Sequence, residues 1–312
     1  MEISIIDYSP KYKKDIINLF KKTFQKEISQ QYWEWRFEKN PFGTPIIKLA
    51  LYENKIIGNY LVHPLKLDIG KETIPILYSM TTMVDPEFWG KGIATRLAKQ
   101  VYQTGEKEGY KAVIAFVNEN SHHMFIKKLG FVDIKTINEL NLFRFQTKKF
   151  KSKIKPIQDF RNIPNEFFKE RIGASKKIMI EKNPNNLNWR FLMHPSIKYH
   201  CFKIIKNDEF CGYFVLKEFG EIKFHIVDYL LNDDHDCYNA MIEFAKAFCK
   251  KYDIQNLTIW EKDEYFSCMY EQKSDIIPTK TYFVIKKLND LNLNKLSIYK
   301  NWSITMSDSD VF

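Results

Sequence analysis

Long hydrophobic runs are missing from this 312-residue chain. No stretch of about eighteen apolar residues is available to cross a bilayer. The opening Met1-Glu2-Ile3-Ser4 carries neither the basic nor the apolar segment of a secretory signal. The expectation is a cytoplasmic protein that makes no use of a membrane. Cysteine is absent from the first two hundred residues, and the five present (Cys201, Cys211, Cys237, Cys249 and Cys268) are odd in number and form no Cys-x-x-Cys pair. That excludes a zinc-ribbon framework and leaves the cysteines as reduced, buried, small apolar residues. No metal is expected. Compact basic patches are also scarce: the formal net charge is +10, which suits an anionic partner, but the lysines are spread along the chain. Only Lys148 to Lys155 is dense, and there it reads as a linker or a patch with equal ease.

What is present is ample apolar content, 45% of residues, enough for two packed domains, and an internal repeat. Trp35-Arg36-Phe37, Pro41, Gly58 and Tyr60 recur as Trp189-Arg190-Phe191, Pro195, Gly212 and Phe214, every pair offset by 154 without a gap. Five identical positions and one aromatic pair at a constant offset indicate two copies of one unit, with domains expected at 1–150 and 151–312. In the first copy an opening helix carries Ile16, Ile17, Leu19, Phe20 and Phe24. Ile46 to Leu51 and Ile56 to Val62 read as a hairpin turned at Glu53-Asn54, and Ile74 to Val84 as a further strand. A helix from Ile93 to Glu108, stopped by Gly109, precedes the apolar strand Ala112 to Val117.

Between that third strand and its helix lies Val84-Asp85-Pro86-Glu87-Phe88-Trp89-Gly90-Lys91-Gly92-Ile93-Ala94-Thr95. Two glycines in three residues at a strand-to-helix junction let backbone N–H groups turn inward at the positive end of a helix, where phosphate binds. A tight turn without a ligand gives the same short pattern, so the loop alone decides little.

The segment resembles motif A of the GNAT acyltransferases, with Gly92 and Ala94 at the small positions and Trp89 where arginine or glutamine is usual. Downstream, Asn118-Glu119-Asn120-Ser121, the helical Met124 to Leu129 and Gly130-Phe131 resemble motif B of that family. The resemblance covers residues 2–145. It implies an α/β (α+β) GNAT fold, a mixed, mostly antiparallel sheet with flanking helices, here as a tandem degenerate pair. It implies acyl-CoA as co-substrate, with pyrophosphate on the loop Trp89, Gly90, Lys91, Gly92, Ile93, Ala94 and Thr95. By the same resemblance the pantetheine arm bonds to the main chain of Met83 and Val84, with Asn120, Ser121 and Phe125 on its other side.

The second copy has no such loop. Leu231-Asn232-Asp233-Asp234-His235-Asp236-Cys237 lacks glycine and sets carboxylates at a helix start, which suits capping and repels pyrophosphate. The second copy is therefore expected to bind no coenzyme A and to wall the acceptor cleft.

Acyl transfer to an amine needs a neutral amine, a polarised thioester and a proton for the thiolate. The family's usual tyrosine acid is replaced here, since Phe125 and Ile126 stand in its neighbourhood. His122 and His123 lie close by, and His123 is taken as the candidate acid, with Tyr78 and His63 as candidate bases. The tail offers Trp302, Asp308 and Asp310 for an acceptor, as an aromatic face with two carboxylates. The double-domain chain with its Trp and Ser-Asp-Ser-Asp ending resembles bacterial GNAT-class N-acyltransferases of nucleotide-linked amino sugars. That resemblance implies a dTDP- or UDP-linked amino-deoxy sugar acceptor and acetyl-CoA or hydroxybutyryl-CoA as donor. Two alternatives stay open. One is a tRNA-dependent aminoacyl transferase of duplicated GNAT type, disfavoured by the intact Gly90-Lys91-Gly92 loop, so that no nucleic acid is expected. The other is a non-catalytic acyl-CoA-binding module.

Overall fold

The computed structural model describes residues 2–70, 72–143, 152–174, 177–261 and 276–309. In chain order the elements are β1 (Ser4–Asp7), α1 (Lys13–Phe24), α2 (Gln30–Trp33), β2 (Ile46–Tyr52), β3 (Lys55–Asp68), β4 (Thr73–Val84), α3 (Ile93–Lys107), β5 (Ala112–Asn118), α4 (Glu119–His123) and β6 (Val132–Asn141). There follow β7 (Lys153–Pro156), α5 (Asn165–Ala174), β8 (Met179–Ile180), α6 (Pro184–Leu187), β9 (Tyr199–Lys206), β10 (Glu209–Phe219), β11 (Lys223–Leu231), α7 (His235–Lys250), β12 (Leu257–Trp260) and β13 (Ile276–Lys287). No helix among the described residues is long and apolar enough to cross a membrane.

The chain divides into two compact units that do not follow the expected boundary at 150. Unit 1 is Met1–Leu67, Glu72–Lys135 and Tyr282–Tyr299; unit 2 is Asp68–Lys71, Thr136–Thr281 and Lys300–Phe312. Most of β6 thus belongs to the second unit and the end of β13 to the first. Burial explains the exchange. Leu140 joins the unit 2 core with Phe214, Phe224, Ile226 and Ile259, and β6 pairs antiparallel with β12 (Ile259 opposite Leu140). Val284 joins the unit 1 core with Leu77, Leu97, Val101 and Val113, while Phe283 stacks on Phe116 at 4.7 Å.

Unit 1 orders its strands β1-β2-β3-β4-β5-β13. The β2–β3 hairpin turns at Glu53-Asn54 with φ of 46° and 62°, the paired left-handed geometry that matches strand twist. Helix α3 lays Ile93, Leu97, Ala98, Val101 and Tyr102 against Tyr60 and Val62 of β3. Residues alternate between faces of a strand, so Asn59, Leu61 and His63 face the opposite side. There α2 starts on the Ser29 side chain, which accepts the Tyr32 N–H at 3.0 Å. It continues as a π turn, Glu34–Glu38, that buries Trp35, Arg36 and Phe37.

Unit 2 orders its strands β6-β12-β11-β10-β9-β7 and repeats these details at the same offset. Asn183 caps α6 through the Asn186 N–H at 3.0 Å. A π turn, Asn188–Leu192, buries Trp189, Arg190 and Phe191. The β9–β10 hairpin turns at Asn207-Asp208 with φ of 51° and 63°.

Candidate active site

The loop after β4 is anchored at its first residue. Asp85 donates its N–H to the Ile57 carbonyl at 2.9 Å, and its carboxylate accepts the Glu87 N–H at 3.1 Å and the Lys22 ammonium at 2.8 Å. Neither Lys22 nor the anchoring role of Asp85 was evident from the motif. Farther along, the Lys91 ammonium lies 4.9 Å over the Phe88 ring. The Trp89 indole N–H donates to the Val84 carbonyl at 2.7 Å, leaving the ring 62% exposed. Gly90 and Gly92 have φ of 77° and 72°, and a Cβ at either would meet nothing within 4 Å. Gly92 is the N-cap of α3, and the first ladder bond runs from the Arg96 N–H to the Gly92 carbonyl at 3.1 Å. The amides of Ile93, Ala94 and Thr95 precede that ladder, with no side-chain cap over them. Backbone donors in this arrangement are able to hold an anion. The Ile93 side chain is buried in the core, so it offers only its amide.

Beside this helix start the sheet opens. The parallel β4–β5 ladder comprises Leu77 with Val113 and Tyr78 with Ile114, and β4 continues past it to Val84. Thr81 has φ of 50°, a strained value for a β-branched residue, and its carbonyl accepts the Asn59 side-chain amide at 2.9 Å. Met83 is buried; Val84 is half-buried, with its carbonyl already accepting from Trp89. Across the opening, Asn118 caps α4 by accepting the Ser121 N–H at 3.1 Å and its hydroxyl at 3.0 Å. Ser121 is thus turned onto Asn118, whose Asn-x-x-Ser spacing was the readable signal for the cap. Asn120 is exposed, and Phe125 packs in the core 4.9 Å from Phe131.

The candidate proton-transfer residues fare differently. His123 is exposed and makes no hydrogen bond among the described residues. Its neighbour His122 is the engaged histidine, with Nε2 2.6 Å from the Asp133 carboxylate and its ring stacked 4.1 Å from Tyr282. Sequence could not show this, because Tyr282 arrives from a distant segment. Tyr78 is buried, edge-on to Phe116 at 6.2 Å. His63 is buried and stacked on Phe37 at 5.5 Å. Asn40 Oδ1 accepts the Phe42 N–H at 3.0 Å, which fixes the amide so that its Nδ2 donates to His63 Nδ1 at 3.0 Å. His63 Nδ1 is therefore the acceptor and Nε2 carries the proton. Burial, and then the Arg36 charge, hold the imidazole neutral well below its ordinary pKa. In this tautomer His63 is a donor, which corrects its assignment as a base.

The acetyltransferase (GNAT) family model matches residues 13–131. Those residues are a GNAT domain. The class is that of acyl-CoA-dependent N-acyltransferases. No curated protein matches the sequence. Among solved structures the chain is similar to a probable N-acyltransferase from Enterococcus faecalis V583 (TM-score 0.72, 13% identity, 92% of this chain and 72% of that one). It is similar to a GCN5-related N-acetyltransferase from Anabaena variabilis ATCC 29413 (TM-score 0.69, 13% identity, 92% and 73%). It is also similar to a tandem GNAT protein from the clavulanic acid biosynthesis pathway (TM-score 0.59, 10% identity, 93% and 100%). At these identities the likeness is one of fold, and the fold is a tandem GNAT.

In the second GNAT copy the helix start is closed. Asp234 is the N-cap of α7, its carboxylate accepting the Asp236 N–H at 2.9 Å, and Lys206 pairs with Asp234 and Asp236 at 2.6 and 2.9 Å. Asp234 is thus engaged as a cap and both carboxylates by Lys206; among the described residues there is no group of three or more His, Cys, Asp or Glu side chains that could hold a metal ion. The tail residues expected to hold an acceptor are buried. Trp302 is 3% exposed and bridges Ile178. Asp308 accepts the Thr305 N–H at 2.7 Å in a capping box and lies 4.0 Å from Lys182. Lys182 pairs with buried Asp228, which also accepts the Tyr213 hydroxyl at 3.0 Å and the Thr305 hydroxyl at 2.8 Å. Trp302 and Asp308 thus serve the unit 2 core, because the tail folds back onto it. Asp310 lies outside the described residues.

Proposed function

We propose that this chain transfers an acyl group from acyl-CoA to the primary amine of a small molecule by direct attack within a ternary complex. The observation that carries this reading is the Gly92-capped start of α3, with three amides ahead of the helix ladder, beside the splayed end of β4. Pyrophosphate on those amides would direct the thioester toward the opening. The amine nitrogen forms the C–N bond, the C–S bond breaks, and the amine proton leaves as coenzyme A departs as the thiol. No acyl-enzyme is required. The described cysteines are buried, and burial pushes the thiols of Cys237 and Cys249 up to about 12 and that of Cys201 up as well, so none supplies a thiolate.

For the acceptor the finer reading is a nucleotide-linked amino-deoxy sugar, with acetyl-CoA or hydroxybutyryl-CoA as donor. The +10 net charge supports it; Trp302 and Asp308, being buried, do not. A thiol-release assay with acetyl-CoA against dTDP- and UDP-linked amino sugars, polyamines and peptides tests both levels. Turnover of the sugars is the expected result. Turnover of the other amines alone would reject the acceptor, and no turnover with any amine would reject the enzyme. A stable acyl-cysteine found by mass spectrometry would refute direct attack.

A further inference from the structure

The last peptide of β4 has a direction that its hydrogen bonds fix. The Asp85 N–H donates to the Ile57 carbonyl of β3 at 2.9 Å, so the peptide joining Val84 to Asp85 turns its N–H toward β3. A trans peptide carries its carbonyl on the opposite side. The Val84 carbonyl therefore points away from β3. In the sheet β4 lies between β3 and β5, and its ladder with β5 is made by Leu77 and Tyr78, well before Val84. That carbonyl accordingly faces the opening between β4 and β5. A strand edge of this kind binds extended chains that carry amides.

The group seated on that carbonyl is a side chain of the chain itself. Trp89 donates its indole N–H to Val84 at 2.7 Å, and its ring is 62% exposed. One hydrogen bond, with little packing, thus holds the indole at the mouth of the opening. The other five tryptophans, Trp33, Trp35, Trp189, Trp260 and Trp302, are all buried. After Trp89 the chain turns at Gly90 and Gly92, with φ of 77° and 72°, and the Ile93, Ala94 and Thr95 amides begin α3. A ligand that sets an anion on those amides and runs into the opening along β4 passes Val84 first. There it meets the indole.

We propose that Trp89 is a displaceable cap on the opening: its indole N–H and an amide N–H of the pantetheine arm compete for the Val84 carbonyl, and the indole swings into solvent when the arm binds. The proposal rests on the acyl-CoA reading of this site and adds a conformational step to it. A phosphate ligand without the arm brings no amide to Val84 and leaves the cap in place. Coenzyme A must release the indole, so its apparent affinity is reduced by the fraction of chains in which the cap is closed. The cap keeps the opening covered until a ligand with an amide-bearing arm enters.

The test combines fluorescence and calorimetry on the full chain and needs no turnover. Because the other tryptophans are buried, acrylamide quenching reports Trp89. Coenzyme A should make Trp89 more quenchable, whereas 3′-phosphoadenosine 5′-diphosphate, its nucleotide half, should leave the quenching unchanged. Trp89→Phe keeps a ring and removes the N–H, so it should bind coenzyme A about three- to tenfold more tightly, the contribution of one hydrogen bond. Trp89→Ala should do the same, and both should bind the nucleotide half as wild type does. The side chain is mostly exposed, so neither change endangers the fold. Weaker coenzyme A binding by Trp89→Ala, with Trp89→Phe like wild type, would make the ring a wall of the site and overturn the cap. Equal affinity in wild type and both variants would overturn the cap alone and leave the coenzyme A site standing. No coenzyme A binding by any of them would remove the site and its cap together.

Discussion

Two strand-to-helix loops leave equivalent points of the two copies and reach opposite ends. In unit 1 the Asp85 N–H bonds the Ile57 carbonyl at 2.9 Å, and in unit 2 the Asn232 N–H bonds the Cys211 carbonyl at 2.8 Å. From that shared bond the first loop runs seven residues to its cap, Gly92, and the second only two, to Asp234. The glycine leaves the first amides of α3 facing open space. The aspartate covers those of α7 with its own carboxylate, already paired with Lys206. A helix start can hold one anion at its amides. Unit 2 has built that anion into the chain, and unit 1 has no side-chain carboxylate at the same place.

The largest test of the contrast concerns Asp228 of β11 and Asn59 of β3. Asp228→Ala would leave Lys182 buried, with Asp308 4.0 Å away as its remaining carboxylate, and should cost about 3–5 kcal/mol in denaturant unfolding. Asn59→Ala, on the corresponding face of unit 1, loses one bond to the Thr81 carbonyl and should cost about 1 kcal/mol. Equal costs would show that Asp228 and Asn59 carry the same weight in their units.

Acid should act on the buried histidine that each unit carries. His225 is 1% exposed, accepts or donates at Thr258 Oγ1 over 2.7 Å, and burial with Lys223 and Lys217 lowers its pKa to about 3. A depressed imidazole is neutral in the fold, so the unfolded chain takes up the proton first. Its contribution is intact above the unfolded pKa of about 6.5 and is lost as pH falls toward 3. Between pH 7 and 5 the loss is about 2 kcal/mol. His225→Gln should flatten that limb of the urea stability profile; an unaltered limb would assign the acid sensitivity elsewhere, with His63, depressed in the same sense, as the next residue to replace.

At the start of α3, Gly92→Val asks a β-branched residue to hold φ of 72°. The left-handed region costs such a side chain about 1–2 kcal/mol, and its methyl groups occupy the open space a phosphate would use. Coenzyme A affinity should fall at least about tenfold, read by calorimetry. Unchanged affinity would move the site elsewhere.

How much of this was readable follows from where each signal lives. The repeat, the hairpins, the glycine loop and the helix after it are local patterns of period and turn chemistry, and they appear in the fold as expected. The unit boundary was misplaced because the strands β6 and β13 each bury residues in the other copy's core, a tertiary choice that leaves no local mark. The tail misled for a related reason: Trp and two Asp near a terminus suggest an exposed clamp, whereas Lys182 and Asp228, both remote in sequence, draw Asp308 inside. His122 was passed over for His123 because its partners Asp133 and Tyr282 come from other elements. The proton of His63 could be assigned only once the Phe42 N–H fixed the Asn40 amide.

The smallest effect is the most direct check on why unit 2 should ignore coenzyme A. Asp234→Ala removes the cap on α7 and frees the Asp236 N–H that it accepts at 2.9 Å. Loss of an aspartate N-cap costs about 1 kcal/mol, and Lys206 keeps Asp236 as a partner at 2.9 Å, which limits the damage. If the carboxylate alone kept pyrophosphate away, the variant would gain a second coenzyme A site. It should not, because the loop remains two residues long and has no glycine to turn successive amides toward one point. The expected result is therefore one coenzyme A per chain in both proteins, with a small drop in unfolding midpoint for the variant. A stoichiometry of two in Asp234→Ala would show that charge, and not loop length, separates the copies.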